Sequence, residues 1–263
     1  MKDVGRWLQG RDGRQVFRLF GFAGTGKTTL ARHLAEGVDG NVVFAAFTGK
    51  AALVMRARGC TDARTIHSLI YRPKDVDSEE PSFVINEDSD AAEAKLIIVD
   101  ECSMVDEELG RDLLSFNRPV LVLGDPAQLP PVKGGGYFTE AEPDIMLTEV
   151  HRQAADNPII RLSMQVREGE RLSPGDYGDT RVIRRDAIDA MAVTKADQVL
   201  VGLNRTRRLY NKRIRELFGH TSTMPEPGDK LVCLRNDRTK GLLNGGIWRV
   251  KTSAGISRKK LRM

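Results

Sequence analysis

The sequence predicts an α/β fold: a parallel sheet with helices on both faces, followed by a smaller second unit. Three observations carry this expectation. Short continuous apolar runs alternate with helix-patterned stretches through the first half of the chain. The segment Gly21-Phe22-Ala23-Gly24-Thr25-Gly26-Lys27-Thr28 fits the phosphate-loop pattern G-x-x-x-x-G-K-[ST], directly after one such run and opening a helix. A further run, Leu96-Ile97-Ile98-Val99-Asp100, is continuously apolar and ends in a carboxylate, as expected of a strand buried on both faces.

Taken in order, residues 16–20 read as the first strand. Residues 28–36 read as the helix after the loop, apolar at Leu30, Ala31, Leu34 and Ala35. Residues 42–47 are a second strand and 50–58 a second helix. The stretch 74–93 is acidic, with a short β-like piece at 82–86; it reads as an exposed excursion, either a hairpin or a solvated loop. After the 96–100 strand come a helix over 106–114 and a central strand over 120–123, ended by Gly124. Beyond Pro143, residues 159–166 are expected to be helical and 199–201 a core strand. Asn204 is placed to cap a basic helix over 207–217. Pro225-Glu226-Pro227-Gly228 then punctuates the chain before two strands of a small β unit, 230–234 and 247–250. The basic tail after them is expected to fray.

Composition narrows the function classes. Of 263 residues, 40% are hydrophobic, enough for a packed core. Lys and Arg number 41 against 36 Asp and Glu, a net charge of +5, so a polyanion would be held by local patches rather than by a global field. The three cysteines, Cys60, Cys102 and Cys233, share no close spacing, which argues against a disulfide framework or a cysteine zinc site and fits a reducing compartment. The four histidines are scattered. No apolar run approaches the ~18 residues of a membrane span, and the N-terminus lacks the apolar core of a signal peptide. A soluble, cytoplasmic protein without a membrane partner is expected.

The phosphate loop has a direct physical reading. Glycines let the backbone wrap a phosphate chain with its N–H groups inward, and the helix N-terminus adds a favourable dipole. Gly21, Gly24, Thr25, Gly26, Lys27, Thr28 and Thr29 form this nucleotide-binding segment. Lys27 can reach the β and γ phosphates, and the Thr28 hydroxyl can ligate Mg²⁺. Asp100, at the end of a buried strand, would share the metal, and Glu101 would polarise an attacking water. A third strand ends in Gly124-Asp125-Pro126-Ala127-Gln128. In open α/β sheets the ligand lies beyond the carboxyl ends of the strands, which brings Gln128 near the γ-phosphate, where an amide both donates to phosphate and orients water. A nucleotide with Mg²⁺ is the expected ligand.

The ordered set GFAGTGKTT, FTGKAA, TIHSL, VDECSM, GDPAQLPPV and LTEVHRQ resembles the superfamily 1 DNA helicases, in the branch of RecD (the exonuclease V α subunit) and Dda. The resemblance covers residues 13–250. It implies a RecA-like P-loop NTPase domain over 1–148, part of a second RecA-like domain over 149–224, and the start of an SH3-like β insertion over 225–263. It also implies that the nucleotide is ATP, its hydrolysis coupled to 5′→3′ movement on single-stranded DNA, with a duplex fork as substrate. Gln128 matches the family's sensor that couples hydrolysis to motion. Arg152, in LTEVHRQ, matches an arginine that reaches the γ-phosphate from the second domain and acts as an arginine finger. Thr48, Lys50, Thr65 and His67 match single-strand contacts of the first domain. Asn204 and Arg205 match a second-domain DNA segment, whose basic helix is otherwise a solvated face. Phe47 stands where relatives have proline; it either stacks on a base or ends its strand inside the core. The 74–93 excursion sits where this branch carries a fork-splitting hairpin, with Phe83 as the candidate wedge, although its acidity speaks against a DNA path.

Two family features are missing. Neither Gln9 nor Gln15 aligns with the adenine-recognising glutamine, and nothing after Trp248 resembles the family's later DNA-contacting and arginine motifs. The second domain is therefore expected to be incomplete and unwinding to be impaired. Three readings compete. One is a working helicase-type motor ATPase, either by itself or completed by a second chain that supplies the missing motifs. Another is an ATP-gated single-strand-binding module that does not unwind. The last is an inactive truncated product. A small-molecule kinase is disfavoured by GDPAQLPPV and by the absence of a substrate lid.

Overall fold

The computed structural model describes residues 2–10, 13–74, 82–132, 134–149, 157–233 and 246–252. The chain divides into two compact units, Met1–Ile160 and Arg161–Met263. Among the described residues no helix is long and apolar enough to cross a membrane.

The first unit opens with helix α1 (Lys2–Leu8), then strand β1 (Val16–Gly21), α2 (Lys27–Glu36), β2 (Val42–Ala46), α3 (Gly49–Ala57), β3 (Arg64–Thr65) and α4 (Ile66–Ile70). A hairpin follows, β4 (Tyr71–Pro73) and β5 (Phe83–Ile85), then α5 (Asp90–Glu93), β6 (Leu96–Asp100), a 3-10 turn at Cys102–Met104, α6 (Glu107–Leu114), β7 (Val120–Gly124) and β8 (Ile145–Leu147). Six strands form one sheet in the order β3-β2-β6-β7-β1-β8. Every neighbouring pair in it is parallel.

Strand alternation divides the core in two. Val16 and Phe20 of β1, with Val43, Ile97, Val99, Val120 and Val122, face α4 and α6. Phe17 and Leu19, with Phe44, Ile98, Leu121 and Leu123, face α1, α2 and α3. With both faces covered, β6 and β7 are buried at every position, and this is why they are uninterrupted apolar runs in the sequence. Helix α1 was not read from the sequence. It seats Val4 and Trp7 at 1% and 2% exposure. Trp7 lies 5.3 Å from the Phe17 ring and donates its indole N–H to Arg14 O at 2.7 Å. Val4, Trp7 and Leu8 stand at i, i+3 and i+4, but one turn of that spacing in seven residues is too short to single out a helix.

The acidic excursion is a hairpin at its base. Tyr71 pairs with Ile85 and Pro73 with Phe83 in antiparallel register, so one arm begins before residue 74; residues 75–81 lie outside the described residues.

The second unit contains α7 (Pro158–Arg167, which starts just before the boundary), the hairpin β9 (Gly175–Tyr177) and β10 (Thr180–Val182), α8 (Ala190–Lys195), α9 (Asn204–Leu217) and the antiparallel pair β11 (Lys230–Val232) and β12 (Ile247–Arg249). Two expectations are corrected here. Residues 199–201 form no strand, and Leu200 is 86% exposed; an apolar triplet without a neighbouring ladder has nothing to pair with. Asn204 does not cap the basic helix but begins it, with Leu203 at the cap position and no side-chain cap bond. The basic tail after residue 252 lies outside the described residues.

Because all six strands of the main sheet run one way, their carboxyl ends share one edge. Gly21, Ala46, Thr65, Asp100 and Gly124 end β1, β2, β3, β6 and β7 there. The six-stranded sheet therefore gathers residues spread over more than a hundred sequence positions.

Candidate nucleotide site and its family

The loop after β1 takes its shape from backbone demands. Gly24 and Gly26 both have φ near +80°, a region closed to most side chains. Gly21 leaves no room for a Cβ, which would lie 2.8 Å from Leu147 Cβ and 2.9 Å from Leu147 O. Phe22 N–H donates to that same Leu147 carbonyl at 3.1 Å, so β8 presses directly on the loop. Thr25 Oγ1 donates to Phe22 O at 2.9 Å and closes the turn. Lys27 Nζ folds back to donate to Gly21 O at 2.8 Å and Phe22 O at 3.0 Å. The ammonium thus lies over the loop carbonyls, and an anion entering the loop would compete for it.

Two acidic residues end β6. Asp100 is buried, and its two oxygens are both engaged: Oδ2 accepts from Thr28 Oγ1 at 2.7 Å, and Oδ1 from Glu101 N–H at 2.9 Å. This hydroxyl and carboxylate from α2 and β6 make an all-oxygen pair, the donor type that suits a hard divalent cation. Glu101 adopts φ +56°, ψ +47°, left-handed for a residue with a side chain. Such a conformation costs on the order of 1–3 kcal/mol and persists where the surroundings enforce it. Burial pushes the Glu101 carboxyl above its usual range, with the neighbouring Asp100 charge adding to the effect; Lys27 and a hydrogen bond from Gln128 partly offset them.

Gln128 comes from the turn after β7. Asp125, 4% exposed, sets that turn: its Oδ1 accepts from Ala127 N–H at 3.0 Å, and its carbonyl accepts from Gln128 N–H at 3.0 Å. Gln128 Oε1 in turn accepts from Ser103 Oγ at 3.3 Å. Lys27, Thr28, Asp100, Glu101 and Gln128 thus converge on one patch of the sheet edge. Gly24, Thr25 and Gly26 lie in the same loop, and Thr29 in the first turn of α2. Such a patch can hold a polyphosphate at the loop, a divalent cation between Thr28 and Asp100, and a water beside Glu101.

A family model for an AAA domain matches residues 10–187, over half of the chain and including all of these residues. The chain belongs to the AAA domain family. Among curated relatives, the ATP-dependent RecD2 DNA helicase of Deinococcus radiodurans is 37% identical over 92% of this chain and 37% of its own length. The ATP-dependent DNA helicase dda of phage T4 is 33% identical over 57% of this chain and 37% of its own length. The resemblance to superfamily 1 helicases of the RecD and Dda type, carried by the motifs, is therefore present in whole-sequence similarity as well. The chain spans just over a third of the length of these relatives. In fold it is similar to a Pif1 helicase from Bacteroides solved with ADP-AlF3 and single-stranded DNA, with TM-score 0.53 and 21% identity over 97% of this chain and 69% of that one.

The remaining residues singled out in this AAA domain chain fall into four groups. Thr65 ends β3, and Thr48, Lys50 and His67 lie just beyond the ends of β2 and β3, on the same sheet edge as the phosphate loop. Thr48 and Thr65 cap α3 and α4, accepting from Ala51 N–H and Ser68 N–H, each at 3.2 Å. Lys50 is exposed in the first turn of α3, and His67 is exposed in α4. Phe47 is half-buried: it packs against the β-sheet core and also lines a cleft of about 480 Å³ with His67, Tyr71, Phe83, Asp106 and Asp112. His67 sits 4.7 Å from the Tyr71 ring and edge-on to Phe83, which is itself exposed. Asn204 and Arg205, in the second unit, are exposed in the first turn of α9. Arg152 lies outside the described residues.

Gln15 has a structural partner instead of a ligand. Its Nε2 donates to Leu114 O at 2.8 Å and Arg118 O at 3.2 Å, tying β1 to the connection before β7. Two contributors escaped sequence reasoning, Ser103 and Asp125. Both stand inside the VDECSM and GDPAQLPPV motifs, but nothing in spacing alone separates a residue that touches the ligand from one that orients its neighbour.

Proposed function

We propose that the chain is an ATP-dependent DNA helicase that couples ATP hydrolysis to 5′→3′ movement on single-stranded DNA. The observation that carries this reading is the convergence of Thr28, Asp100, Glu101 and Gln128 on the sheet edge next to the phosphate loop. The family membership and the relatives' helicase names support it, as does the fold shared with a helicase solved on single-stranded DNA.

In this reading the loop amides and Lys27 bind the phosphates of ATP, the ammonium exchanging loop carbonyls for phosphate oxygens. Thr28 and Asp100 hold Mg²⁺, which would supply charge neutralisation at the phosphates. The raised Glu101 carboxyl sits beside the water site as general base, and Gln128 orients that water through its amide. Arg152 is assigned as the arginine finger by its motif. Phe47, Thr48, Lys50, Thr65 and His67 are assigned to single-stranded DNA on the first unit, and Asn204 and Arg205 on the second. The Thr48 hydroxyl accepts its capping bond and keeps a proton to donate to a phosphate. The Phe83 hairpin is the proposed wedge at a duplex fork. The domain limits proposed are 1–148, 149–224 and 225–263, and the proposed location is the cytoplasm.

A second reading, an ATP-gated single-strand binder that does not unwind, is favoured by the second unit. Among its described residues only Leu162 is buried, while Leu203, Leu209 and Trp248 are exposed. A lobe with so little core transmits force poorly unless further polypeptide, such as a second chain, covers it. ATP turnover with and without single-stranded DNA separates the readings. DNA-stimulated turnover that Lys27→Ala abolishes supports the motor, and nucleotide binding without turnover supports the gated binder. Absence of nucleotide binding would sink both.

A further inference from the structure

We propose that Ser103 is a positioning residue for hydrolysis, acting through the side-chain amide of Gln128. The inference rests on the reading above in which Glu101 and Gln128 act on the attacking water.

A glutamine amide offers an acceptor at Oε1 and a two-proton donor at Nε2, and it can turn end for end with little change in shape. One contact selects one of the two orientations here, and the neighbouring Glu101 fits it. Ser103 Oγ approaches Oε1 at 3.3 Å, and as a hydroxyl it donates there. That leaves Nε2, a two-proton donor, as the end available to Glu101, whose ionised carboxyl is favoured by the presence of Gln128. The serine and the glutamate thus agree: oxygen toward Ser103, NH₂ toward the water site. The Gln128 backbone is already held by Asp125, so rotation of its exposed side chain is the freedom left for Ser103 to remove.

Ser103 is suited to hold a fixed direction. It is 3% exposed, in the 3-10 turn Cys102–Met104 immediately after Glu101. The segment around Gly136 packs against that turn so closely that a Cβ on Gly136 would lie 2.7 Å from Ser103 O. Ser103 has no hydrogen bond to Lys27 or Thr28 among those described, so its loss should spare nucleotide binding. Without its hydroxyl the amide can turn over. Oε1 would then face the Glu101 carboxylate, and the repulsion would drive the side chain off the site.

The test uses the full chain with Ser103→Ala, Gln128→Ala, the double variant and Ser103→Thr. Ser103→Ala is expected to lower kcat for ATP by about tenfold, the scale of one hydrogen bond, with KM within about twofold. The double variant should be no slower than Gln128→Ala alone, because Ser103 acts only through that amide. Ser103→Thr, which keeps the hydroxyl, should recover most of the rate. Unchanged kcat, a KM effect alone, or additive losses in the double variant would overturn the proposal. A wild-type chain that binds ATP without turning it over defeats the motor reading and with it the kinetic role of Ser103, and leaves its hold on the Gln128 amide to be tested by itself. The Gln128 side-chain NH₂ resonances then decide: sharp and slowly exchanging in the wild type and averaged in Ser103→Ala if the proposal holds, identical in both if it fails.

Discussion

Thr28→Val is the sharpest test of how the site is built, because it changes one hydroxyl for a methyl at nearly constant volume. Thr28 and Asp100 are 8% and 7% exposed, and the 2.7 Å bond between them satisfies one of the two Asp100 oxygens. Valine leaves that oxygen unpaired in a nearly dry site. Hydrogen bonds to a charged group contribute roughly 1.5–3 kcal/mol, and a stranded partner adds its own desolvation cost. Converted at about 2–4 °C per kcal/mol for a unit of this size, the midpoint of thermal unfolding should fall by roughly 3–12 °C. The assay is circular-dichroism melting without nucleotide, run beside Thr28→Ser. Serine keeps the hydroxyl and loses one methyl, about 0.8 kcal/mol at most when fully buried, so its midpoint should stay close to the wild type. A valine variant that melts with the wild type, or a serine variant that falls as far as valine, would refute the claim that this bond organises the site. Mg²⁺-dependent nucleotide affinity should fall in Val and persist in Ser.

Glu101→Gln should separate stability from activity. Burial and Asp100 raise the folded-state value of Glu101 above its ordinary 4.5. A carboxyl raised in this way contributes stability that is present below 4.5 and lost as pH rises through the raised value. The glutamine variant should therefore unfold at higher denaturant than wild type at pH 7 to 8 and match it below the ordinary value, while its ATP turnover collapses; equal stability across the range would refute the cost assigned to the charge. In the second unit, Arg215 binds both Asp229 oxygens at 3.1 Å and the carbonyls of Ser222 and Met224 at 2.7 and 2.8 Å. Arg215→Ala should destabilise this loop by roughly 1–2 kcal/mol after solvent screening is discounted. Limited proteolysis should then cut between α9 and β11 before it cuts the first unit.

The sheet edge shows why some residues could be read early and others not. Lys27, Thr28, Asp100, Glu101 and Gln128 each follow a recognisable strand or glycine pattern, and a parallel sheet brings strand ends together whatever the detailed packing. Ser103 and Asp125 act on neighbours, and the direction of a side chain is not written in spacing. Gln15 shows the converse: a polar residue near the phosphate loop in sequence whose amide is spent on two backbone carbonyls. The Val199-Leu200-Val201 triplet looks like a strand because local apolarity cannot report whether a neighbouring strand exists. Asn204 misled for a smaller reason, since the first-turn and cap positions differ by one residue.

The sequence by itself determined that β6 and β7 are central, that a phosphate loop joins β1 to α2, and that the chain carries superfamily 1 helicase motifs. Those features rest on local chemistry: continuous apolar runs, glycines at positive φ, and side chains of one type at one spacing. Only the tertiary structure decided that Thr28 and Asp100 share a hydrogen bond, that Glu101 sits in a strained left-handed turn, and that Ser103 faces the Gln128 amide. Only it showed Phe47 touching the core while lining an aromatic cleft. The contacts among these depend on distances between segments separated in the chain, and the Glu101 turn on what packs around it, so no local pattern encodes them.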